Sequence, residues 1–499
     1  MDYKVLLSSF EQTQQMADWP RQRVIHACLR AAIIGGNLAA GTRLLASRAL
    51  ASELGIARNT VLYAYDQLAT EGLVRATARG TLVAALALPA PRKPAGAPAN
   101  GAIARRMQGV RTMAEADSDT GAFAPGVPAL DAFPVALWRR ALDRAWRSMG
   151  SDELNYPDTA GIPALREEIS AYLGASRGVR CHAGQVFVTS GTQASLEICA
   201  RTFADAGDTA WLENPGYLGA VAAFRSAQLR TVGIDVDDDG IHPGAHEWTR
   251  NKPRLIYITP SHQYPTGTVL DMPRRLAMLA QAKACGALII EDDYDSEFRY
   301  EGPPLPAMQG LSGDAPVVYL GTFSKTMFPA LRTGYMVVPE NLVAPLRAVQ
   351  ARMAPHGRVA DQLALADFLR SGQFGVHLRR MRRLYRSRRD ALVDALQRHL
   401  GDDIVIHGSS AGIHLSFRFV DPRLVDTEIA AAAMARGVVA RALSAHASGL
   451  RKNGWNGLIL GYAQVDVGRI EEAVRTLAAV MAAAAPGQET GSPNVKNPH

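Results

Sequence analysis

The sequence predicts an α/β chain in which a large, mainly parallel sheet clothed by helices follows a small α+β module of three helices and a β-ribbon. Three observations carry this. Runs such as "QVFVTS", "RLIYITP", "ALIIEDDY" and "VVYLGTFS" are apolar on both faces, as strands covered by helices on each side must be. They alternate with amphipathic stretches such as "PRRLAMLAQAKACG", the rhythm that parallel pairing requires. Ahead of them the Pro-, Ala- and Gly-rich "LPAPRKPAGAPANGAIARR" (88–106) divides two regions of different build.

In chain order this gives an N-terminal extension (1–18), the small module (19–87), a linker (88–118), the large domain (119–486) and a tail, "GQETGSPNVKNPH" (487–499), expected to be disordered. A length of 499 residues suits two or three domains. With 47% hydrophobic and 20% charged residues, extensive disorder is excluded. No apolar run approaches the ~20 residues of a membrane span, and "MDYKVLLSSFEQ" lacks the basic start and apolar segment of an export signal. A cytoplasmic location without a membrane partner is expected. Cys28, Cys181, Cys199 and Cys285 are scattered, which points to buried thiols and to neither a disulfide framework nor a metal site. A net charge of +7 permits polyanion binding, but its distribution matters more than its total. The linker's Arg92, Lys93, Arg105, Arg106 and Arg111 meet no acidic residue before Glu115, so it is either a solvated spacer or a strand that brushes phosphate.

Within the module, "SRALASELGIARNTVLYAYDQLATEGLVRATARGTLV" reads as helix, tight turn through Gly55, helix from about Arg58, then a two-stranded wing. Such a second helix projects its first residues into a major groove, with Arg58, Asn59 and Thr60 where base and phosphate contacts are made. Arg48, expected just before the first helix of the pair, and Arg79-Gly80 at the wing tip suit backbone or minor-groove contacts. Arg48, Arg58, Thr60 and Gly80 match the pattern of the GntR superfamily, which the module resembles. That resemblance implies binding to double-stranded operator DNA. The chain departs from the pattern at "LLAS" and at the wing "TARGT", which bear on the target sequence.

The large domain carries "GTFSKTMFPALRTGY" (321–335). A lysine forms a Schiff base with an aldehyde cofactor when neighbours fix that cofactor and tune its electronics. Around Lys325, Thr322 and Ser324 supply hydroxyls and Arg332 a planar fork for phosphate. In "LIIEDDYDSEF", Asp292 at a strand's end is placed to pair with a protonated ring nitrogen, and Tyr294 to bond a phenolic oxygen. "FVTSGTQASLEICARTF" is strand, turn and helix, so the N–H groups of Gly191, Thr192 and Gln193 face an anion with the helix dipole behind them. Tyr217 offers a face for stacking.

In this order the features resemble the fold type I, pyridoxal-phosphate-dependent aminotransferases, over roughly 119–483, with "NYPDTAGIPALREEISAYL" and "TPSHQYPTG" adding to the likeness. The resemblance implies pyridoxal 5'-phosphate on Lys325 and a dimer with shared sites, in which Tyr156 reaches the neighbouring subunit's phosphate. A winged helix joined by a Pro-rich linker to such a domain resembles the MocR-type branch of GntR regulators. That implies a transcription regulator, a head-to-tail homodimer, and an effector that is an amine, an amino acid or the cofactor itself; the alternative is a working aminotransferase with an accessory DNA module. Three departures bear on the ligand. The stretch "NGLILGYAQV" contains no arginine to anchor a substrate carboxylate, leaving Arg441 or Arg451 as substitutes. Tyr264 replaces the asparagine of "NPTG", leaving that task to His262 or Gln263. Gly219 supplies no second arginine for a further carboxylate. The run "HLRRMRRLYR", with His377, Arg379, Arg380, Arg382 and Arg386, is either a solvated face or a groove for bent DNA.

Overall fold

The computed structural model describes residues 2–13, 18–78, 80–85, 104, 106–107, 121–302, 304–353, 357–447 and 454–484. Arg79, Arg451, nearly all of the linker and the tail 487–499 lie outside the described residues. The chain divides into two compact units, 1–102 and 103–499.

In the first unit, helices α1 (Tyr3–Thr13), α2 (Arg21–Ile34), α3 (Ser47–Leu54) and α4 (Arg58–Thr70) precede a ribbon of β1 (Val74–Thr77) and β2 (Gly80–Val83). The segment set aside as an extension is thus largely helical. Tyr3 and Leu7, one turn apart on the same face of α1, join Ile25, Leu29, Leu50, Val61 and Leu68 in the core. The Tyr3 N–H also donates to Glu53 Oε1 at 2.9 Å. Gly55 ends α3 at φ 65°, a left-handed conformation that costs glycine nothing and turns the chain into α4 within three residues. Arg48 lies inside the first turn of α3 rather than before it, because the helix begins at Ser47.

The second unit is built on an eight-stranded sheet of order β3-β10-β9-β8-β7-β4-β5-β6. Its strands are β3 (Val186–Thr189), β4 (Thr209–Asn214), β5 (Arg230–Asp237), β6 (Gly240–Ile241), β7 (Leu255–Ile258), β8 (Leu288–Asp293), β9 (Val317–Thr322) and β10 (Gly334–Val337). The four apolar runs of the sequence are β3, β7, β8 and β9, and every residue of β3, β4, β7, β9 and β10 is buried. Pairing is parallel from β5 through β4, β7 and β8 to β9, while β10 is antiparallel to both β9 and β3. Antiparallel neighbours need no crossover helix, so β9 reaches β10 through residues 323–333 alone, the segment that holds Lys325 and Arg332. Both ends are pinned, by the Thr322↔Gly334 pairing and by the Phe323 N–H donating to the Thr333 carbonyl at 3.0 Å.

A second sheet, β11 (Ile404–His407), β12 (His414–Phe419), β13 (Arg441–Ala442) and β14 (Gly457–Gly461), is antiparallel in the order β11-β12-β14-β13. One face, with Leu415, Phe417, Leu458 and Leu460, is buried in the main core with residues of the helices Gln373–His399 and Val467–Ala484. On the other side, Ser416 Oγ donates to the Thr266 carbonyl at 2.7 Å and Trp455 Nε1 to the Val236 carbonyl at 2.8 Å, tying this sheet to the first. The basic run lies on the long helix Gln373–His399 and splits by contact. His377 is buried against the Thr326 carbonyl, Arg382 donates to the Glu297 carbonyl and Arg386 to that of Tyr300, while Arg379 and Arg380 are exposed. Two of the four arginines named therefore brace the fold, Arg386 from an exposed position. No helix among the described residues is long and apolar enough to cross a membrane.

Candidate functional site

Strands β3, β4, β7, β8 and β9 run in one direction, so the segments after them open at one edge of the sheet, where ligands of such folds collect. A cavity of about 260 Å³ lies there. Asp292 and Tyr294 reach it from β8, and Thr322, Ser324, Lys325 and Arg332 from the β9–β10 connection. Thr192 and Gln193 line it from the first turn of the helix Thr192–Phe203, and Tyr217 from just ahead of the helix Leu218–Ser226.

The strand period of two sorts the acidic cluster at the end of β8. Glu291 turns away and accepts the backbone N–H groups of Met308 and Gln309; Asp293 pairs with buried Arg177 at 2.6 Å. Asp292 faces the cavity between them. Its Oδ2 accepts from the Tyr257 hydroxyl at 2.8 Å, while its buried Oδ1 has no partner. Burial lifts the Asp292 carboxyl to about 7; Asp293 adds to the rise, whereas Tyr257 and Lys325 oppose it. Glu213, also buried, is pushed up to about 7 although Thr259 and Gln263 donate to it.

Gly191 caps the helix Thr192–Phe203 at φ 96°, and that helix has no side-chain cap bond. A Cβ at Gly191 would lie 3.7 Å from Arg332 Cζ, so the guanidinium packs on the glycine beside open helix N–H groups. Lys325 Nζ donates to the Gly126 carbonyl at 2.7 Å. These groups fit pyridoxal phosphate by their chemistry. An orphaned buried carboxylate oxygen suits a ring N–H, the Arg332–Gly191 cup a phosphate, Tyr217 an aromatic face and Lys325 an aldehyde. Gly219 has a reason beyond the absent arginine, since a Cβ there would lie 2.4 Å from Tyr217 Cζ.

Tyr156 stands apart, 96% exposed and outside the cavity lining. His262 and Gln263, weighed as ring-oxygen donors, do not line the cavity either. Gln263 Nε2 is spent on Glu213 and two carbonyls, and His262 Nδ1 faces the Asp295 carboxylate at 3.1 Å. Tyr264 itself lines the cavity. Sequence reasoning missed Pro125, Gly126, Tyr257 and His414, and passed over Arg441; all five line the cavity. Only Tyr257 carried a local signal, a tyrosine inside a fully buried strand that must find an acceptor for its hydroxyl. His262, Asp295 and His414 each bring a ligand-type atom within 4.8 Å of the others. Asp295 already accepts from His262 and from the Ile413 N–H, which accounts for its place without a metal.

In the first unit Arg48, Arg58 and Asn59 are exposed and Thr60 is half-buried. Neither α3 nor α4 has a side-chain cap bond, since Ala46 and Ala57 stand at the capping positions; in α4 the Thr60 N–H donates to the Ala57 carbonyl at 3.0 Å, which leaves those of Arg58 and Asn59 to face phosphate. Gly80 has φ 119° with the guanidinium of Arg43, another residue the sequence reading missed, against it; a Cβ there would meet Arg43 Nε at 2.9 Å.

Residues 123–477 match the family of class I and II aminotransferases, and residues 21–83 the gntR family of bacterial regulatory proteins. The chain is 41% identical over 466 residues to the probable rhizopine catabolism regulatory protein MocR of Rhizobium meliloti, covering 92% of this chain and 94% of that one. It is 33% identical to the pyridoxine biosynthesis regulator PdxR of Corynebacterium glutamicum, covering 88% and 91%. Among solved structures, LysN, an α-aminoadipate aminotransferase from Thermus thermophilus complexed with N-(5'-phosphopyridoxyl)-L-leucine, aligns with a TM-score of 0.67 at 28% identity, over 76% of this chain and 96% of that one. A GntR-type DNA-binding module and an aminotransferase-type domain for pyridoxal phosphate, matched along nearly the whole length of a MocR regulator, place the chain in the MocR-type branch of the GntR transcription regulators.

Proposed function

We propose that Lys325 holds pyridoxal phosphate and that a small amine, an amino acid or the cofactor itself, engaging that site, changes operator binding by residues 19–87 within a head-to-tail homodimer. The observation that carries this is the convergence of Lys325, Asp292, Tyr217 and Arg332 on one cavity in a chain that also bears a DNA-binding module. The names of the two relatives, one concerned with rhizopine catabolism and one with pyridoxine biosynthesis, support a small metabolite and the cofactor as the two kinds of signal. When bound, the cofactor supplies an electrophilic carbon for primary amines and an electron-withdrawing ring.

The chain's own residues do the rest. Arg332 and the N–H groups of Gly191, Thr192 and Gln193 hold the phosphate, with Thr322 and Ser324 adding hydroxyls. Asp292 keeps a proton on the ring nitrogen, Tyr294 supports the ring oxygen and Tyr217 covers the ring. Tyr156, exposed in one subunit, serves its neighbour's phosphate. Lys325 Nζ, which donates to the Gly126 carbonyl, gives up that bond when it takes the cofactor. Gly126 belongs to the segment 121–126, directly after the linker 88–118 in sequence, so the state of one nitrogen is felt where the chain leaves toward the DNA-binding part.

The test is binding of the purified protein to DNA upstream of its own gene, with and without pyridoxal phosphate, for wild type and Lys325→Ala. Wild-type binding should respond to the cofactor and the variant should not. Equal binding in all four cases defeats the cofactor as the signal; if loaded protein then binds DNA unchanged when amines and amino acids are added, the sensor reading falls and the large domain is a dimerisation scaffold. A second reading, a working aminotransferase with a DNA module, is favoured by Arg441 in the cavity wall, and sustained conversion of an amino acid to its 2-oxo acid would establish it.

A further inference from the structure

Helix α4 buries Val61, Ala64, Tyr65 and Leu68 in the core of the first unit. At 3.6 residues per turn the face directly opposite carries Asn59, Tyr63, Asp66 and Thr70, spaced i, i+4, i+7 and i+11, and all four are exposed. Asn59 stands where bases are read. Tyr63 follows it by one turn, about 6 Å along the axis, and is 43% exposed. The other tyrosines of this unit, Tyr3 and Tyr65, are buried, and Tyr65 gives its hydroxyl to the Leu45 carbonyl at 2.7 Å. The Tyr63 hydroxyl makes no hydrogen bond among the described residues.

A single exposed aromatic residue needs no explanation on an ordinary surface. What singles out Tyr63 is its place on the outward face of the helix that a winged helix-turn-helix sends into the major groove. Charge bounds the part of that face that can enter. Arg58 at the start of α4 attracts phosphate, whereas Asp66, one turn past Tyr63, repels it. The reading face therefore runs from Arg58 to Tyr63 and ends before Asp66. Base edges in the groove offer donors and acceptors, and thymine alone adds a methyl. A phenol hydroxyl both donates and accepts, so it fits any edge and selects none. The ring is what selects, because an apolar group gains by packing against it and a polar edge does not.

We propose that Tyr63 is a specificity residue whose ring packs on a thymine methyl about two base pairs from the base that Asn59 reads, the offset that a rise of ~6 Å makes against ~3.4 Å per base pair. This rests on operator binding by residues 19–87 and is independent of the cofactor reading.

The full-length protein is used to select binding sites from randomised duplex DNA, as wild type, Asn59→Ala, Tyr63→Ala and Tyr63→Phe. Affinity for the selected site is then measured with each thymine in turn replaced by uracil, which removes only the methyl. Wild type should fix a thymine, at the stated offset from the position relaxed in Asn59→Ala, that Tyr63→Ala no longer requires and Tyr63→Phe still does. Uracil there should weaken wild type and Tyr63→Phe about 3- to 5-fold, the worth of one buried methyl, and Tyr63→Ala by less than about 1.5-fold. Base preferences unchanged in Tyr63→Ala, uracil tolerated by wild type at every thymine, or a uracil penalty shared by wild type and Tyr63→Ala would overturn the proposal. So would a loss in Tyr63→Ala equally large for the selected site and for random DNA, which marks a structural role. Failure of the wild type to select any site would instead defeat the operator binding beneath it.

Discussion

Replacing Asp292 by asparagine separates two effects of opposite sign. Burial raises the Asp292 carboxyl from 3.8 to about 7, so the folded chain holds this proton longer than the unfolded one. The stability it contributes is complete below the ordinary carboxylate range and is lost as pH rises through about 7. The full displacement corresponds to about 4 kcal/mol, a ceiling that relaxation around the buried charge reduces. Asparagine keeps an acceptor for the Tyr257 hydroxyl and carries no charge to bury. Cofactor-free Asp292→Asn should therefore be more stable than wild type at pH 8, by roughly 1–3 kcal/mol, an advantage that shrinks to about two-fifths of that near pH 5. Its affinity for pyridoxal phosphate should fall about 10- to 100-fold at pH 8, the worth of one charge-assisted hydrogen bond. Urea melts at both pH values and an absorbance titration with the cofactor measure the two terms. A variant less stable at pH 8, or one that binds the cofactor within about twofold of wild type, refutes the assignment of Asp292 to the ring nitrogen.

Gly219→Ala places a methyl 2.4 Å from Tyr217 Cζ, so cofactor affinity, followed by fluorescence, should drop about 10-fold as the stacked ring is displaced. Gly126→Ala forces a left-handed backbone (φ 78°) on alanine and sets its Cβ 2.8 Å from Lys325 Nζ; cofactor-free protein should lose roughly 2 kcal/mol in a thermal melt and loaded protein less, whereas equal losses would refute the lever. Arg58→Ala should weaken operator and random DNA alike and reduce the salt slope by about 1, while Asn59→Ala should act on the operator alone. Tyr156→Phe should lower cofactor affinity in the homodimer, and a mixed dimer with Lys325→Ala should have one site restored to wild-type affinity.

What the sequence made legible is what lies close together along the chain. The phosphate cup is a strand, a glycine and a helix start within 188–193, and Lys325 with its neighbours spans only 322–332, so residue type and order sufficed. Asp292 was separable from Glu291 and Asp293 because alternation in a strand sends adjacent side chains to opposite faces. Arg441 was not separable from Arg451. Its place depends on β13, only two residues long, pairing with Ile459 from a distant stretch, and no local pattern announces such a register. His414 was hidden in the same way. In the basic run the charges were visible but the backbone carbonyls of Glu297 and Tyr300 that engage two of them were not, because those acceptors lie some 85 residues away.

The lever at Lys325 sets a bound on the response. The strap 121–126 is held by Val439 N–H to the Ala122 carbonyl at 2.8 Å, Gly461 N–H to that of Phe123 at 2.8 Å and Gln464 Nε2 to that of Gly121 at 2.9 Å. Against this frame, the Lys325–Gly126 bond is the contact that cofactor attachment exchanges. A ligand shifts two arrangements only by its difference in affinity between them. One charge-assisted hydrogen bond is worth about 1.5–3 kcal/mol, whereas turning a 1:99 population into 99:1 takes about 5.5. On the proposed reading, a single site would therefore bias operator binding by roughly 10- to 100-fold and would not switch it outright. Two sites acting together in a homodimer come to about 3–6 kcal/mol, which reaches the switching range, so a steep response to ligand requires the dimer and a shallow one does not.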